Sequence, residues 1–226
     1  PSWSVDFNVT GLDTSQLDPR LEGLLAAAGN TTGRIPADEP IEARLRVDAA
    51  SGVLNGRPVD GAMLLTLQEG ELDLADARVA VGQNELTASG TVLPSANLAV
   101  DWDLPVISEL LPEAAGRSTA SLDIRQSGRD WSVAGNVEGD SLQWQEVSVG
   151  SVKLVGQVSN TATTNATLAA TELQFEDVSL DNVTSTLSGD SENHNFEASL
   201  RSGDLSLDLG GSGRYAADEW SGELGL

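Results

Sequence analysis

Apolar and polar residues alternate along most of this chain of 226 residues. In the stretch WSVDFNV, Val5 and Phe7 share one phase of the alternation, and in IEARLRVDA Leu45 and Val47 do the same. Successive side chains of a β-strand point to opposite faces of the sheet, so each stretch predicts a strand with one apolar and one polar face. Along the whole chain the pattern predicts about 15 such strands.

Turn signals such as Asn55-Gly56 and Glu69-Gly70 separate the candidate strands. Short connections between successive strands favour antiparallel neighbours. A sheet with one apolar face must cover that face, and the alternation alone leaves a sandwich, a barrel and an elongated curled sheet open. A curled sheet would enclose an apolar trough, and contiguous apolar surface that protein does not fill usually has a ligand.

Two stretches break the alternation and predict short helices. Residues 17–30, LDPRLEGLLAAAGN, combine a capping Asp18, a proline at the first helical position and apolar residues at helical spacing. Residues 104–116, LPVISELLPEAAG, predict a shorter helical piece that Pro112 interrupts. We expect these pieces to plug or gate the trough, or to cover its end.

The connection at residues 29–40, GNTTGRIPADEP, is interpreted as a loop and as a possible internal boundary. The same alternation continues on both sides of it. We therefore expect residues 1–226 to be a single segment of a longer, repeat-built domain.

One octet pattern occurs twice in the chain. LQWQEVSV begins at Leu142 and LQFEDVSL begins at Leu173, and LDLADARV from Leu72 is a weaker copy. In each copy we expect the strand to bend at a kink of two residues, such as Gln145-Glu146, where a bulge keeps the apolar residues on one face. Recurrence at a fixed period is typical of repeat-built architectures.

The apolar phase of the strands supplies candidate lining residues for a trough, and these residues share a large apolar side chain in an alternating stretch. The candidates are Val5, Phe7, Leu45, Val47, Val100, Trp102, Leu122, Ile124, Val133, Trp144, Val149, Leu154, Phe175, Leu180, Leu205 and Leu207.

Charge and composition exclude several classes of function. Lys and Arg number 12 against 35 Asp and Glu, a net charge of −23, so nucleic acid is a poor partner, because phosphate binding needs clustered cations. The chain has no cysteine, and His194 is its single histidine, which leaves no nucleophile–base pair and no zinc ligand set. We predict no catalytic residue, no metal site and no cofactor, and we do not expect an enzyme.

An ordered set of short phrases resembles one protein family. The phrases are LNGRPVDG from Leu54, VAVGQNELTASG from Val79, DLPVISELLPEAAG from Asp103 and NHNFEASL from Asn193. In this order they are similar to the TamB family, the inner-membrane-anchored partner of the translocation and assembly module, and to AsmA-like bridge proteins. The resemblance covers nearly the whole chain, although this copy is unusually acidic.

The resemblance implies a β-taco, which is a long U-shaped sheet with an apolar concave face. The fold class we expect is therefore all-β: an elongated, curled antiparallel sheet with one or two short helices. It also implies the periplasm of a Gram-negative bacterium, an anchor in the inner membrane outside this segment, and a TamA-like outer-membrane barrel partner. The implied role is the movement of phospholipid acyl chains towards the outer membrane, or outer-membrane protein assembly. The alternative is an adhesin-like β-sandwich module that binds protein or carbohydrate.

Overall fold

A computed structural model describes residues 1–16, 18–37, 40–190, 192–216 and 219–225. The described residues form fifteen β-strands and two single 3₁₀ turns, at Thr14–Gln16 and Ile107–Glu109. The strands are β1 (Ser2–Asp13), β2 (Gly23–Arg34), β3 (Glu42–Leu54), β4 (Arg57–Gln68), β5 (Glu71–Val81), β6 (Asn84–Leu93), β7 (Ala96–Leu104), β8 (Ala114–Ser127), β9 (Asp130–Trp144), β10 (Val147–Ser159), β11 (Thr164–Phe175), β12 (Val178–Gly189), β13 (His194–Ser202), β14 (Leu205–Ala216) and β15 (Glu219–Gly225). The prediction of an all-β antiparallel fold is confirmed.

The chain divides into two compact units, Pro1–Glu113 and Ala114–Leu226. The first unit contains β1 to β7 and the second contains β8 to β15. Within each unit the strands follow one another across the sheet in sequence order, and each pairs with the next in the antiparallel sense. This is the meander that short connections favour. Whether residues 29–40 mark a domain boundary stays a prediction.

The pairing register aligns one row of residues straight across the first unit. The row is Phe7, Gly29, Val47, Met63, Ala77, Ala88 and Val100. Directly paired residues of antiparallel strands project from the same side of the sheet. We call the side that carries this row the apolar face of the first unit.

A corresponding row crosses the second unit. It consists of Leu122, Gly135, Gly156, Ala166, Leu187, Phe196, Gly211 and Leu224. The side that carries this row is the apolar face of the second unit. In both units the row mixes large apolar residues with Gly and Ala.

The predicted helix at residues 17–30 is wrong. Residues 23–34 form β2, which pairs with β1 on one side and with β3 on the other. Asp18 does cap locally, but its Oδ1 accepts the backbone N–H of Arg20 at 2.9 Å, the side-chain bond of a turn. The predicted loop at 29–40 is shortened for the same reason, because β2 continues to Arg34. Leu17, Asp38 and Glu39 lie outside the described residues.

The second predicted helix is reduced to one 3₁₀ turn, Ile107–Glu109. The prolines at positions 105 and 112 flank this turn and limit its length, because proline cannot continue a helical hydrogen-bond pattern. β8 begins at Ala114, inside the predicted helical stretch.

The predicted kink in the two clear octets is wrong. Trp144 at the end of β9 pairs directly with Val147 at the start of β10, so Gln145-Glu146 is the two-residue turn of a β-hairpin. The second octet contains the equivalent turn between Phe175 and Val178. Each octet therefore joins two strands rather than bending one.

A bulge does occur in the weaker copy of the octet. Ala75 and Asp76 lie inside β5, and the register with β6 shifts between Leu74 and Ala77. A bulge opposes two residues to one and resets the phase of the strand. The bulge prediction is confirmed here, and Leu74 and Ala77 lie on the same face although they are three residues apart.

In the two clear octets the phase changes at the residue just before the octet, four residues before the expected kink. Ser141 and Glu172, which immediately precede Leu142 and Leu173, both have left-handed backbones with φ of 50° and 51°. A Cβ on Gly139 would come within 2.7 Å of Leu142 Cδ1, so Leu142 leans over a residue three positions before it. This places Leu142 on the same face as Gly139.

Few apolar side chains are buried among the described residues. Those that are buried are Val59, Val81, Ala114, Ala120 and Ala170. A β-sandwich would bury bulky residues between two inner faces. Within the described part of each unit, taken by itself, there is no second sheet of the kind that the sandwich alternative requires.

Candidate functional site: an exposed apolar sheet face

Every predicted lining residue lies on the apolar face of its unit. In the first unit, Phe7, Val47 and Val100 belong to the row itself. Val5 and Leu45 lie on the same face, since both pair with Thr31. Trp102 lies on this face as well and pairs with Leu86. In the second unit, the remaining residues join it through the following pairs: Ile124–Val133, Val137–Leu154, Leu200–Leu207, Ser202–Leu205, Trp144–Val147–Phe175, Leu142–Val149 and Leu173–Leu180.

Many of the large residues on these faces are exposed. Leu205 retains 77% of its accessible surface, and Val5, Trp144, Leu154, Phe175 and Leu207 are also exposed. Monomeric soluble proteins rarely leave contiguous apolar surface of this kind uncovered. The two faces are therefore candidate binding surfaces for apolar molecules, although their role as a lipid lining stays a prediction.

Glycines on the apolar faces lie beneath aromatic rings. Trp3 pairs with Gly33 and Phe196 pairs with Gly211. A Cβ on Gly211 would come within 2.5 Å of Phe196 Cε1 and 2.8 Å of its Cζ, and a Cβ on Gly33 would meet the Trp3 ring. The missing side chain lets each ring lie against the backbone of the neighbouring strand. Trp3 and Phe196 were not among the predicted lining residues, although both lie in alternating stretches.

The opposite side of each sheet is polar and carries cross-strand ion pairs. Arg34 pairs with Glu42 at 2.6 Å in the first unit, and Lys153 pairs with Glu138 at 2.6 Å in the second. The hydrogen bond from Arg34 lowers the pKa of Glu42 below its ordinary value. Because these pairs are exposed, they contribute little to stability, and they mark the water-facing side of the sheet.

Residues 106–111 form a strap that covers one edge of the first apolar face. Asn84, which lies on this face and is 2% exposed, donates from Nδ2 to the carbonyl oxygen of Val106 at 2.9 Å. Its Oδ1 accepts the backbone N–H of Val106 at 3.1 Å. Further along the strap, Asn55 Nδ2 donates to the carbonyl oxygen of Leu110 at 2.8 Å. The strap therefore runs from the end of β7 to the turn between β3 and β4.

Glu109 anchors the middle of the strap. It is 5% exposed, and its Oε2 accepts the backbone N–H of Gln83 at 2.8 Å. Its Oε1 lies 3.4 Å from Nε of Arg57. A Cβ on Gly82 would collide with the Glu109 carboxylate, so the turn between β5 and β6 needs glycine for space as well as for its φ of 60°.

Sequence reasoning identified Asn55 and Asn84 only as turn residues and did not predict their contacts with the strap. The signal was present, because both asparagines belong to the phrases LNGRPVDG and VAVGQNELTASG that carried the family resemblance. Among the described residues, no cluster of three or more His, Asp or Glu could hold a metal ion.

The family described as TamB, N-terminal domain, matches residues 1–225. The chain belongs to the TamB family. The TamB family is a transport and assembly module and is not known as an enzyme family. No solved structure matches the chain. Within the described ranges, no helix of the TamB-family chain has the length and apolarity needed to cross a bilayer.

Proposed function

We propose that this chain is a periplasmic segment of a TamB-like protein, and that its apolar faces conduct phospholipid acyl chains between the inner and outer membranes. Lipid transport is the general role of the TamB family. Support of outer-membrane protein assembly is the other role that the family assignment brings with it.

One observation carries the proposal: rows of apolar residues run uninterrupted across seven strands of the first unit and eight strands of the second. A binding site for a compact ligand would gather polar groups at one point of a pocket. These faces instead repeat the same apolar surface on strand after strand. A surface of this kind suits a long apolar molecule that slides along it.

The energetics favour an acyl chain as the molecule. Transfer of each CH₂ group from water to an apolar surface contributes about 0.8 kcal/mol, so burial of ten methylenes contributes about 8 kcal/mol. The sum is large enough to extract a lipid chain from water, and no single contact on the face is strong enough to hold a lipid at one position. A curled sheet, as the family resemblance implies, would surround the chain on more than one side.

The proposed location and partners follow from the family. The TamB family belongs to the Gram-negative envelope and extends through the periplasm. We place this chain in the periplasm, in a protein whose inner-membrane anchor lies outside this segment. A TamA-like barrel of the outer membrane is the proposed partner through parts outside the chain.

Native mass spectrometry of the 226-residue chain, expressed in the periplasm and purified without detergent, tests the proposal. Phospholipid that co-purifies and is released by collisional activation is the expected result. A chain that remains folded but carries no lipid, and that takes up none from vesicles, would contradict it.

A further inference from the structure

The strap at residues 106–111 makes the two strand-end edges of the first apolar face unequal. Where the strap covers its edge, on β4 to β6, the face ends at Val59, Val81 and Asn84, and all three residues are buried, whereas Leu12 at the end of β1 is exposed. On the opposite edge, the two-residue connections Glu69-Gly70 and Pro94-Ser95 join the strands, and Leu93 on the apolar face is exposed. A lipid on this face would therefore meet a different environment at each end of the strands.

The polar groups of the strap edge already have partners inside the protein. Asn84 uses its amide with the carbonyl oxygens of Val81 and Val106 and with the backbone N–H of Val106. Among the described residues, no buried side-chain nitrogen or oxygen lacks a partner. A lipid headgroup at this edge would have to displace these bonds, which leaves buried groups unsatisfied and is unfavourable.

Charge disfavours a headgroup at the strap edge as well. The carboxylate of Glu109 is buried there, and its cationic neighbour Arg57 is already engaged with it at 3.4 Å. A phosphate diester would bring a second negative charge into a poorly hydrated site, where like charges repel strongly. The apolar end of an acyl chain, in contrast, meets Val59, Val81 and the half-buried Ile107 without any such conflict.

We infer that residues 106–111 form a fixed wall which sets the orientation of lipid on the first apolar face. Acyl-chain ends point towards the strap, and headgroups emerge into water at the edge that contains Glu69-Gly70 and Pro94-Ser95. Asn84 and Asn55 act as positioning residues, because they hold the wall without touching the headgroup. This inference rests on the proposed function and adds a direction to it.

Photo-crosslinking with two phosphatidylethanolamine probes tests the inference on the complete chain. One probe carries a diazirine at the end of an acyl chain, and the other carries it on the headgroup. We expect the acyl-end probe to label residues 57–59, 79–84 and 106–111. The headgroup probe should label residues 67–72 and 93–97 with several-fold preference over the strap edge. Peptide mapping by mass spectrometry measures both patterns.

Two variants separate the wall from the rest of the face. Asn84→Ala removes the bonds to Val106, and headgroup label should then appear at both edges. Asn55→Gly retains the left-handed turn, where Asn55 has φ of 49°, but loses the bond to Leu110. In this variant too, headgroup label should appear at both edges, although at a lower level. It tests the wall even if Asn84→Ala does not fold. Asn8→Ala, an exposed asparagine on the polar side of β1 and outside every expected labelling segment, is the matched control and should leave the pattern unchanged.

The outcomes distinguish the inference from the proposed function. Headgroup label on the strap edge of the unsubstituted chain, at or above the level of the opposite edge, overturns the wall and leaves lipid binding intact. An unchanged pattern in folded Asn84→Ala and Asn55→Gly variants also overturns it. If neither probe labels the apolar face at all, the proposed function fails, and the inference fails with it.

Discussion

Phe7 lies directly opposite Gly29 across β1 and β2, and its ring covers the glycine. A Cβ on Gly29 would come within 2.9 Å of Phe7 Cζ, and it would also collide with the backbone of Arg46 in β3. The ring therefore packs flat on the sheet instead of projecting from the apolar face. The same relationship recurs between Phe196 and Gly211 in the second unit.

This packing predicts that Gly29→Ala destabilises the chain. The added methyl group has to displace both the Phe7 ring and a backbone carbonyl, and overpacking of this kind costs about 1–3 kcal/mol. Urea unfolding followed by tryptophan fluorescence measures the change. Gly210→Ala is the control, because a Cβ there meets nothing within 4 Å. A Gly29→Ala variant as stable as the Gly210→Ala variant would show that the ring does not depend on the glycine.

The left-handed residues before the two octets predict that substitution by glycine does not lower stability, in contrast to the loss expected for Gly29→Ala. Ser141→Gly and Glu172→Gly should each leave stability unchanged or raise it, by up to about 1 kcal/mol, because an L side chain at φ near 50° is strained and glycine is not. Thr171→Gly, one residue earlier in regular strand geometry, should lower stability by about 0.5–1 kcal/mol. Equal losses for all three variants in urea titrations would argue against the left-handed backbone.

The alternation predicted the strands and their apolar phase well, because a period of two depends only on neighbours along the chain. It could not predict that residues 23–34 form a strand. The run Ala26-Ala27-Ala28 favours a helix locally, but pairing with β1 on one side and β3 on the other overrides that preference.

The strap was beyond sequence reasoning for a different reason. Its position depends on contacts between Asn55 and Leu110, which are 55 residues apart, and between Asn84 and Val106, which are 22 residues apart. Neither asparagine looks unusual in sequence, because Asn55 precedes a glycine in a turn and Asn84 directly follows the turn Gly82-Gln83. The octet kinks were misread because Gln145-Glu146 lacks the glycine that usually marks a two-residue hairpin turn.

The buried carboxylate of Glu109 in the strap predicts that removal of its cationic partner lowers the stability of the chain. Arg57→Leu should lower stability by about 1–3 kcal/mol, because Glu109 is then left buried without its charged partner. Adding Glu109→Gln should recover part of the loss, since a neutral amide can still accept from Gln83. Arg129→Leu, a distant substitution in the second unit, serves as control. Thermal and urea unfolding of the three variants check this, and no recovery in the double variant would count against the pairing.

In the turn before β2, the carboxyl group of Asp18 has a pKa below its ordinary value. The side-chain hydrogen bond from Arg20, and then the backbone N–H and the charge of Arg20, lower the pKa of Asp18 from 3.8 to about 2. Because the folded pKa is depressed, the stabilising contribution of this contact is fully present above pH 3.8 and is lost as the pH falls through about 2. Arg20→Gln should raise the Asp18 pKa towards its ordinary value.

An NMR titration of the carboxyl carbons measures this change. Asp13 is the internal control, because Ser15 and not Arg20 lowers its pKa. An Asp18 pKa that stays near 2 in the Arg20→Gln variant would contradict the assignment to Arg20.

The central claim is that lipid binds one side of the sheet, and two adjacent residues of β10 test it most directly. Leu154 is 43% exposed on the apolar face, and Val155 is 42% exposed on the polar side. Aspartate at either position meets similar exposure and a similar strand environment, so both variants should fold. Native mass spectrometry of detergent-free protein then compares the bound phospholipid. The account predicts that Leu154→Asp loses most of its lipid while Val155→Asp retains it. Equal retention, or equal loss in two folded variants, would contradict it.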